Sequence, residues 1–154
     1  MRIKPEFIET LMQEALKEAR AAYSLGEVPV GAVVAYKNEI IAKGHNLVEK
    51  QSSVIKHAEL IAIEKAEEVL QNWRLNDCIL CVTIEPCTMC TGAIKLARIG
   101  TVVFGAQDPS MGAFGSIYDL SQNSNFGSTP RVIAGVAEST CASLMSDFFR
   151  EKRK

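Results

Sequence analysis

Residues 78–90 read CILCVTIEPCTMC, an almost wholly apolar run that leads directly into a Pro-Cys-x-x-Cys sequence. The apolar part predicts a strand over residues 78–84 that is buried on both faces, as strands of parallel sheets are. Pro86 suits the opening of a helix, so residues 87–97 are predicted to form a short one. This stretch therefore predicts a buried strand followed by a helix that begins with two cysteines.

The sequence on either side alternates between helical and strand-like patterns. Apolar residues recur at three-to-four spacing over residues 6–25 and 55–70, which predicts two amphipathic helices. Further strands are predicted over residues 30–35, 40–43, 101–105 and 131–136, and a closing helix over residues 138–150. This alternation predicts an α/β layered fold, and the length of 154 residues favours one domain spanning residues 1–154.

Residues 106–130 depart from this alternation. The segment is rich in Gly, Ser and Asn and is only weakly patterned. Such a long irregular segment in a compact domain is usually functional or mobile, and we expect one or the other here.

The composition is that of a globular protein, with 47% hydrophobic and 23% charged residues. No apolar run approaches the roughly 20 residues that a membrane helix needs, and charges interrupt the N-terminal apolar residues. We therefore expect no membrane span and no signal peptide, with the cytoplasm as the default location. A net charge of −1 lacks the basic excess of a protein that coats nucleic acid, so any RNA contact must come from a local patch.

The cysteines and one histidine predict a metal site. Five cysteines cannot form a closed disulfide set, so they are better explained as thiols or metal ligands. His57, Cys87 and Cys90 form a ligand set that suits Zn²⁺ and leaves a fourth position for water. A structural zinc site would normally need a fourth protein ligand. One other donor is His45, which is interpreted as a neutral loop residue and is assigned no ligand role. The others are three cysteines predicted to lie in the buried strand and the last helix, where they act as small buried hydrophobes (Cys78, Cys81 and Cys141). An open, catalytic site is therefore favoured.

Glu59 is expected to carry the proton chemistry of this site. Two residues apart on a regular helix, His57 and Glu59 point to different sides, so both reach one site only at the helix end. We therefore predict His57 in the first turn of its helix and Cys87 at the start of the next, where the helix dipoles favour thiolates. His-x-Glu or Cys-x-x-Cys alone is weak evidence, but together H-x-E and P-C-x-x-C form the signature of zinc nucleobase deaminases.

Further matches extend along nearly the whole chain. They are residues 27–33 (EVPVGAV), 44–46 (GHN), 57–59 (HAE), 72–75 (NWRL), 82–87 (VTIEPC), 90–93 (CTGA), 98–100 (RIG), 102–106 (VVFGA) and 146–150 (SDFFR). In these stretches the chain resembles the bacterial tRNA-specific adenosine deaminases, a branch of the cytidine deaminase-like superfamily. The zinc motif is common to the superfamily, whereas the stretches after Cys90 and at the C-terminus resemble the tRNA branch in particular.

The resemblance implies a fold and a reaction. The fold is a three-layer α/β/α arrangement with a five-stranded mixed sheet. The reaction is hydrolytic conversion of adenosine to inosine at the wobble position of a tRNA anticodon, chiefly of an arginine tRNA. One Zn²⁺ per subunit is held by His57, Cys87 and Cys90. A zinc-activated hydroxide adds to C6 of adenine, Glu59 shuttles the proton to N1, and ammonia leaves. The family works as a homodimer on the anticodon stem-loop.

The resemblance also implies substrate contacts. Asn46 hydrogen-bonds the target nucleoside, the backbone N–H of Ala58 stabilises the developing oxyanion, and Val28, Pro29 and Val30 line the base pocket. The remaining candidate contacts are Asp108, Phe149, Arg150 and Arg153.

Each of these remaining residues has a plainer interpretation that stays open. Asp108 either accepts from a ribose 2′-OH or forms a turn before Pro109. Phe148 and Phe149 either stack on loop bases or, for one at least, belong to the core. The basic run that ends the chain either contacts phosphate or is a solvated tail (Arg150, Lys152, Arg153 and Lys154). Trp73 is predicted to pack.

Two positions depart from the family pattern. Residues 53–56 (SVIK) replace an Asp-Pro-x-Ala run, which makes the entry to His57 less rigid, and Lys56 either contacts phosphate or points to solvent. Leu47 stands where a basic residue is expected.

Two competing functions also stay open: a deaminase of free nucleosides or bases, and a non-catalytic RNA-binding protein with structural zinc. Glu59 argues against the second, because a folding site needs no proton shuttle.

Overall fold

The computed structural model describes residues 2–153 and contains four helices and five strands in that range. In chain order they are α1 (Pro5–Ser24), β1 (Gly31–Tyr36), β2 (Glu39–His45), α2 (Ala58–Leu70), β3 (Cys78–Ile84), α3 (Thr88–Leu96), β4 (Thr101–Ala106), β5 (Arg131–Ile133) and α4 (Glu138–Lys152). The strands form one sheet in the order β2-β1-β3-β4-β5. This confirms the predicted α/β fold.

The sheet is mixed because its centre joins two kinds of pairing. Strand β1 pairs antiparallel with both β2 and β3, whereas β3, β4 and β5 run parallel. Strand β3 is buried on both faces as predicted. Its burial follows from its central position, with one antiparallel and one parallel neighbour, rather than from a parallel sheet as such.

Helices cover both faces of the sheet. Residues of α2 and α3 pack on one face of β1, β3 and β4, as Ala62 and Ile94 do against Leu80 and Val102. Residues of α1 and α4 pack on the other face, where Leu16 and Cys141 share a cluster with the alternate side chains of the same strands. Alternation of side chains along each strand explains this division and produces the three layers.

The observed elements differ from the predicted ones mainly at their ends. Strand β2 runs to residue 45, β5 has only three residues, and α2 begins at Ala58 rather than at residue 55. Gly44 explains how closely α2 approaches the sheet, because a Cβ there would lie 2.7 Å from the carbonyl oxygen of Ala58. Within residues 2–153, no helix combines the length and apolar character needed to span a lipid bilayer.

Candidate metal centre and active-site pocket

The predicted metal ligands meet at the N-terminal ends of two helices. His57 is the residue before the first turn of α2, and Cys87 holds the same position before α3. Both have extended backbone angles, so their side chains lie at the helix ends rather than on the helix flanks. Cys90 follows in the first turn of α3 and is fully buried. The prediction that both helix starts converge on one point therefore agrees with the structure.

The three donor atoms have the spacing of a zinc site. The Nδ1 atom of His57 lies 3.6 Å from the Sγ of Cys87 and 3.4 Å from the Sγ of Cys90. Tetrahedral zinc with ordinary Zn–S and Zn–N bond lengths requires N···S separations of about 3.6 Å. Within residues 2–153 this is the one group of three or more such side chains close enough to share an ion. The donor set therefore fits zinc and offers three protein ligands.

The Cys87 thiol is electrostatically prepared to bind a cation. A hydrogen bond with the Cys90 thiol is the main reason that the pKa of Cys87 falls to about 4, and a hydrogen bond with His57 lowers it further. The same contact raises the pKa of Cys90, which acts as the donor. The hydrogen bond with Cys87 also raises the pKa of His57. Because thiolate is the form that binds metal, Cys87 is ready as a ligand near neutral pH.

Glu59 lies beside the ligands in the first turn of α2. Its side chain is only 3% exposed. Burial raises the pKa of this carboxyl to about 7, because a charged carboxylate is poorly solvated there. A carboxyl group with a pKa near neutrality takes up and releases protons readily, which suits the predicted role as a proton shuttle.

A pocket of about 360 Å³ opens beside these groups, within the range of about 300–1,000 Å³ that is usual for small-molecule sites. It brings together most of the residues predicted to contact substrate. The predicted residues that line it are Val28, Val30, Asn46, His57, Ala58, Glu59, Cys87, Asp108 and Phe149. Sequence reasoning therefore identified residues from six separate parts of the chain that share one cavity.

Pro29 is a correction to the predicted base pocket. The Val30 N–H donates to the Val28 carbonyl across 2.8 Å, which makes a three-residue turn with Pro29 at its centre. Val28 and Val30 line the pocket, whereas Pro29 is buried outside its lining. The fixed φ of proline suits such a turn, so Pro29 shapes the wall without forming its surface.

The C-terminal candidates divide between pocket and surface. Phe148 is buried and makes an edge-on ring contact with Tyr23, whereas Phe149 is 43% exposed at the pocket. Arg150 and Arg153 are exposed on and just after α4 and do not line the pocket. Lys154, the last residue of the predicted basic run, lies outside the described residues.

The turn interpretation of Asp108 is supported directly. Its Oδ1 accepts hydrogen bonds from the N–H and hydroxyl of Ser110, at 3.1 and 2.9 Å, and from the N–H of Met111 at 3.2 Å. The side chain also lines the pocket. Asp108 therefore shapes the turn that carries Ser110 and Met111 to the same cavity.

Two other residues singled out in the sequence, Lys56 and Trp73, lie away from the pocket. Lys56 lines a groove between α2 and α3 rather than the pocket. Trp73, which is predicted to pack, does so at the surface, where its side chain is 50% exposed. The guanidinium groups of Arg74 and Arg98 lie 4.3 and 5.6 Å from its ring centre, and such cation–π contacts let an exposed tryptophan remain ordered.

Sequence reasoning missed three buried charged residues near the site: Glu27, Glu85 and Lys95. Lys95 carried a usable signal, because it falls four residues after the buried Thr91 on the inward face of α3. Glu27 and Glu85 carried a weaker one, as charges next to apolar stretches. Their partners lie in loops that the pattern of apolar residues does not locate.

Comparison with known proteins identifies the class. Residues 5–106 match the family described as the cytidine and deoxycytidylate deaminase zinc-binding region. The chain belongs to this family of zinc-dependent deaminases, and zinc is the ion that the His57, Cys87 and Cys90 cluster fits.

Particular relatives narrow the class further. The chain is 47% identical over 146 residues to a tRNA-specific adenosine deaminase of Bacillus subtilis, with 95% of this chain and 91% of the relative covered. It superimposes with a TM-score of 0.85 and 41% identity on a structure from a study of A-to-I editing by tRNA:A34 deaminases at the wobble position of transfer RNA, covering 88% and 98% of the two chains. A guanine deaminase from Bacillus subtilis gives a TM-score of 0.62 and 38% identity, covering 68% and 66%.

Proposed function

We propose that the protein converts adenosine to inosine by hydrolysis at the wobble position of a tRNA anticodon, chiefly that of an arginine tRNA. The observation that carries the proposal is the opening of a three-ligand metal cluster and a buried carboxyl group into one pocket of ligand size. The identity to tRNA-specific adenosine deaminases supports the choice of substrate.

Glu59 carries out the proton transfers in this proposal. His57, Cys87 and Cys90 would hold zinc, which would supply the Lewis acidity that activates water near neutral pH. Glu59 accepts a proton from that water and delivers it to N1 of adenine, which makes C6 more electrophilic. The second proton of the water leaves with the amino group, so adenosine and water give inosine and ammonia. The buried position of Glu59 keeps this exchange away from bulk solvent.

The start of α2 provides the polar groups that orient the reacting base. The first intrahelical bond runs from the Ile61 N–H to the His57 carbonyl at 3.1 Å, so the Ala58 N–H precedes the first helical hydrogen bond and is available to the oxygen that develops at C6. Asn46 is buried at the pocket, where its side-chain amide suits hydrogen bonds with the nucleoside. Val28 and Val30 provide apolar surface against the base.

The pocket rim favours a base that belongs to an RNA loop. Phe149 and Met111 line the pocket and are exposed, which gives neighbouring unpaired bases apolar surface on which to stack. Loop bases are already unpaired, so their extrusion into a pocket costs little. A tRNA substrate also agrees with the cytoplasmic location expected from the sequence.

We also propose that the protein forms a homodimer through the groove between α2 and α3. This groove has a volume of about 690 Å³ and is lined by apolar side chains that include Ile55 and Leu96, the latter 66% exposed. Exposed apolar surface of this kind is typical of interaction sites. Lys56 and Glu64 border it with opposite charges, as a self-complementary twofold interface needs. Sedimentation at micromolar concentration tests the proposal, and a monomer would contradict it.

A deaminase of free nucleosides or bases is the second candidate. The structural likeness to a guanine deaminase favours it, because that protein shares the fold at 38% identity. Turnover of an adenosine-containing anticodon stem-loop, compared with that of free adenosine, cytidine and guanine, separates the two candidates. Preference for a free compound would replace the RNA proposal.

Glu59→Gln tests the proposed chemistry directly. We expect inosine formation in the stem-loop to fall by about 10²–10⁴-fold, the usual contribution of a general acid–base group, while the zinc content stays the same. Glu39→Gln, at an exposed position at the start of β2, is the matched control and should retain full activity. Unchanged inosine formation by Glu59→Gln would rule out the proton shuttle.

A further inference from the structure

We propose that Glu27 and Glu85 are positioning residues that hold opposite walls of the active-site pocket. The first wall comprises residues 46–53 and the second wall comprises residues 107–120. Both walls contribute side chains to the pocket, such as Glu49 from the first and Met111 from the second. Apart from short turns and isolated bridges, both lack regular structure, so something other than a helix or strand must fix them.

Glu85 gathers the second wall around one buried carboxylate. It is 2% exposed, and its oxygens accept hydrogen bonds from the N–H groups of Asp108, Phe114 and Ser116 at 3.0, 2.9 and 3.0 Å. The Ser116 hydroxyl donates to it as well. A single side chain on the strand side of the metal site therefore pairs backbone groups spread over nine positions of the wall.

The second wall is also fastened next to a metal ligand. The Ala113 N–H donates to the Pro86 carbonyl at 2.9 Å, and Gly112 forms an isolated antiparallel bridge with Cys87. A Cβ at Gly112 would overlap the Glu85 carboxylate, so glycine is needed for this close approach. The position of the wall is thereby tied to the position of Cys87.

Glu27 serves the first wall in the same way. It is 1% exposed, and its two oxygens accept from the N–H groups of Glu49 and Lys50 at 3.0 and 2.6 Å. Glu27 lies three residues after the end of α1, and its N–H donates to the carbonyl of Ala22 in that helix at 3.0 Å, so this carboxylate links the wall to a rigid element. The wall begins with Asn46, whose side chain is expected to contact the nucleoside.

A carboxylate suits both positions because it only accepts hydrogen bonds. Buried backbone N–H groups in irregular loops must find acceptors, and a charged acceptor roughly doubles the strength of each bond. A glutamine of the same shape would turn an NH₂ group towards N–H donors and lose at least one bond. The variants Glu27→Gln and Glu85→Gln therefore remove acceptor capacity with little change in volume.

Hydrogen exchange tests the two anchors independently of activity. In Glu85→Gln we expect the amide protection of residues 108, 114 and 116 to fall about tenfold or more, with residues 49 and 50 unchanged. Glu27→Gln should give the reverse pattern, so each variant is the control for the other. Glu39→Gln should leave both sets protected.

Kinetics test the consequence for substrate, and this part rests on the proposed function. Because neither carboxylate belongs to the ligand cluster, we expect one zinc per chain in both variants and a rise of about tenfold in KM for the stem-loop that exceeds the fall in kcat. If the wild-type protein forms no inosine but the two variants still give the reciprocal exchange patterns, the proposed function fails and the anchoring roles of Glu27 and Glu85 stand.

Two outcomes would overturn the anchors. One is unchanged protection of the wall that the substituted glutamate contacts. The other is loss of protection along the whole chain together with loss of zinc, since that would indicate a general role in folding. If Glu85→Gln does not fold, Ser116→Ala removes one donor and keeps the carboxylate. It should weaken protection in the second wall alone, and wild-type protection there would count against the proposal.

Discussion

The N-terminal ends of α2 and α3, which carry the metal ligands, lie beside the irregular segment 106–130. The two regions are held in place by different kinds of contact. His57, Cys87 and Cys90 are positioned by the ends of two helices that pack on the sheet. The segment beside them is held by buried polar side chains from elsewhere in the chain. Regular elements thus fix the site of the chemistry, and a few non-local hydrogen bonds fix the surface that surrounds it.

Helix α3 serves both regions. It carries Cys90 in its first turn and the fully buried Lys95 in its last. The Lys95 ammonium group donates to the carbonyls of Ser121 and Ser128 at 2.9 and 2.7 Å, and it lies 4.9 Å from the ring centre of Phe126. One helix therefore presents a metal ligand at one end and anchors the segment at the other.

Removing a metal ligand should have the largest effect on zinc content and activity. Cys90→Ala leaves two protein ligands, so zinc affinity should fall by more than the roughly 10- to 100-fold that loss of an outer hydrogen-bond partner costs. Activity should disappear with the metal, and zinc analysis of the purified protein measures the loss. Cys78→Ala, which removes a buried thiol of β3 outside the cluster, is the matched control and should keep one zinc per chain. A Cys90→Ala protein with full zinc content would contradict the assignment.

Removing the Lys95 ammonium group that anchors segment 106–130 should have a smaller effect. It should lower the stability of the protein and leave the metal in place. Lys95→Met keeps the length of the side chain but leaves two carbonyl groups without a donor, which should lower the free energy of unfolding by about 1–3 kcal/mol. Urea denaturation measures the change.

The exposed Lys17→Met is the control for Lys95→Met. Lys17 forms a surface ion pair with Glu14, and loss of such an exposed pair has little effect on stability. Burial lowers the pKa of Lys95, so desolvation opposes the two hydrogen bonds. If Lys95→Met is as stable as the wild type or more stable, the cost of desolvating the ammonium group exceeds the gain from its two hydrogen bonds.

This division also explains how much could be predicted from the sequence. The strand 78–84, the helix starts and the ligand set follow from local periodicity and from spacing within a few residues. His57 and Cys87 lie 30 positions apart, yet each carries its own local signal, a short motif at the start of an apolar helix.

The contacts between the buried charged residues and the loops that they hold could not be found in this way. Glu85 and Ser116, or Lys95 and Ser128, are paired across some 30 residues, and their partners are mainly backbone groups whose identity leaves no trace in the sequence. Pro29 was predicted to line the pocket together with Val28 and Val30, because residue type alone does not say which of three neighbours faces a cavity. The packing of Trp73 was expected, but its partners, two arginine side chains on the surface, could not be located from the sequence.

The smallest expected effect concerns the C-terminal cations, which lie on the surface outside the pocket lining. The Arg150 guanidinium is already bound to Asp147, and the Lys152 ammonium lies 5.5 Å from the ring centre of Phe148, whereas Arg153 follows α4 and is exposed.

A cation that contacts one phosphate of single-stranded RNA contributes about 0.7 to the slope of log affinity against log salt. We therefore expect Arg153→Gln to reduce the slope for a stem-loop by about that amount, and Arg150→Gln to reduce it less, because Asp147 competes for its charge. Lys37→Gln, in the turn after β1 at the opposite end of the sheet from the pocket, should leave the slope unchanged. Equal slopes for Arg153→Gln and the wild type would mean that the basic run is a solvated tail, and that the rim and walls of the pocket alone hold the RNA.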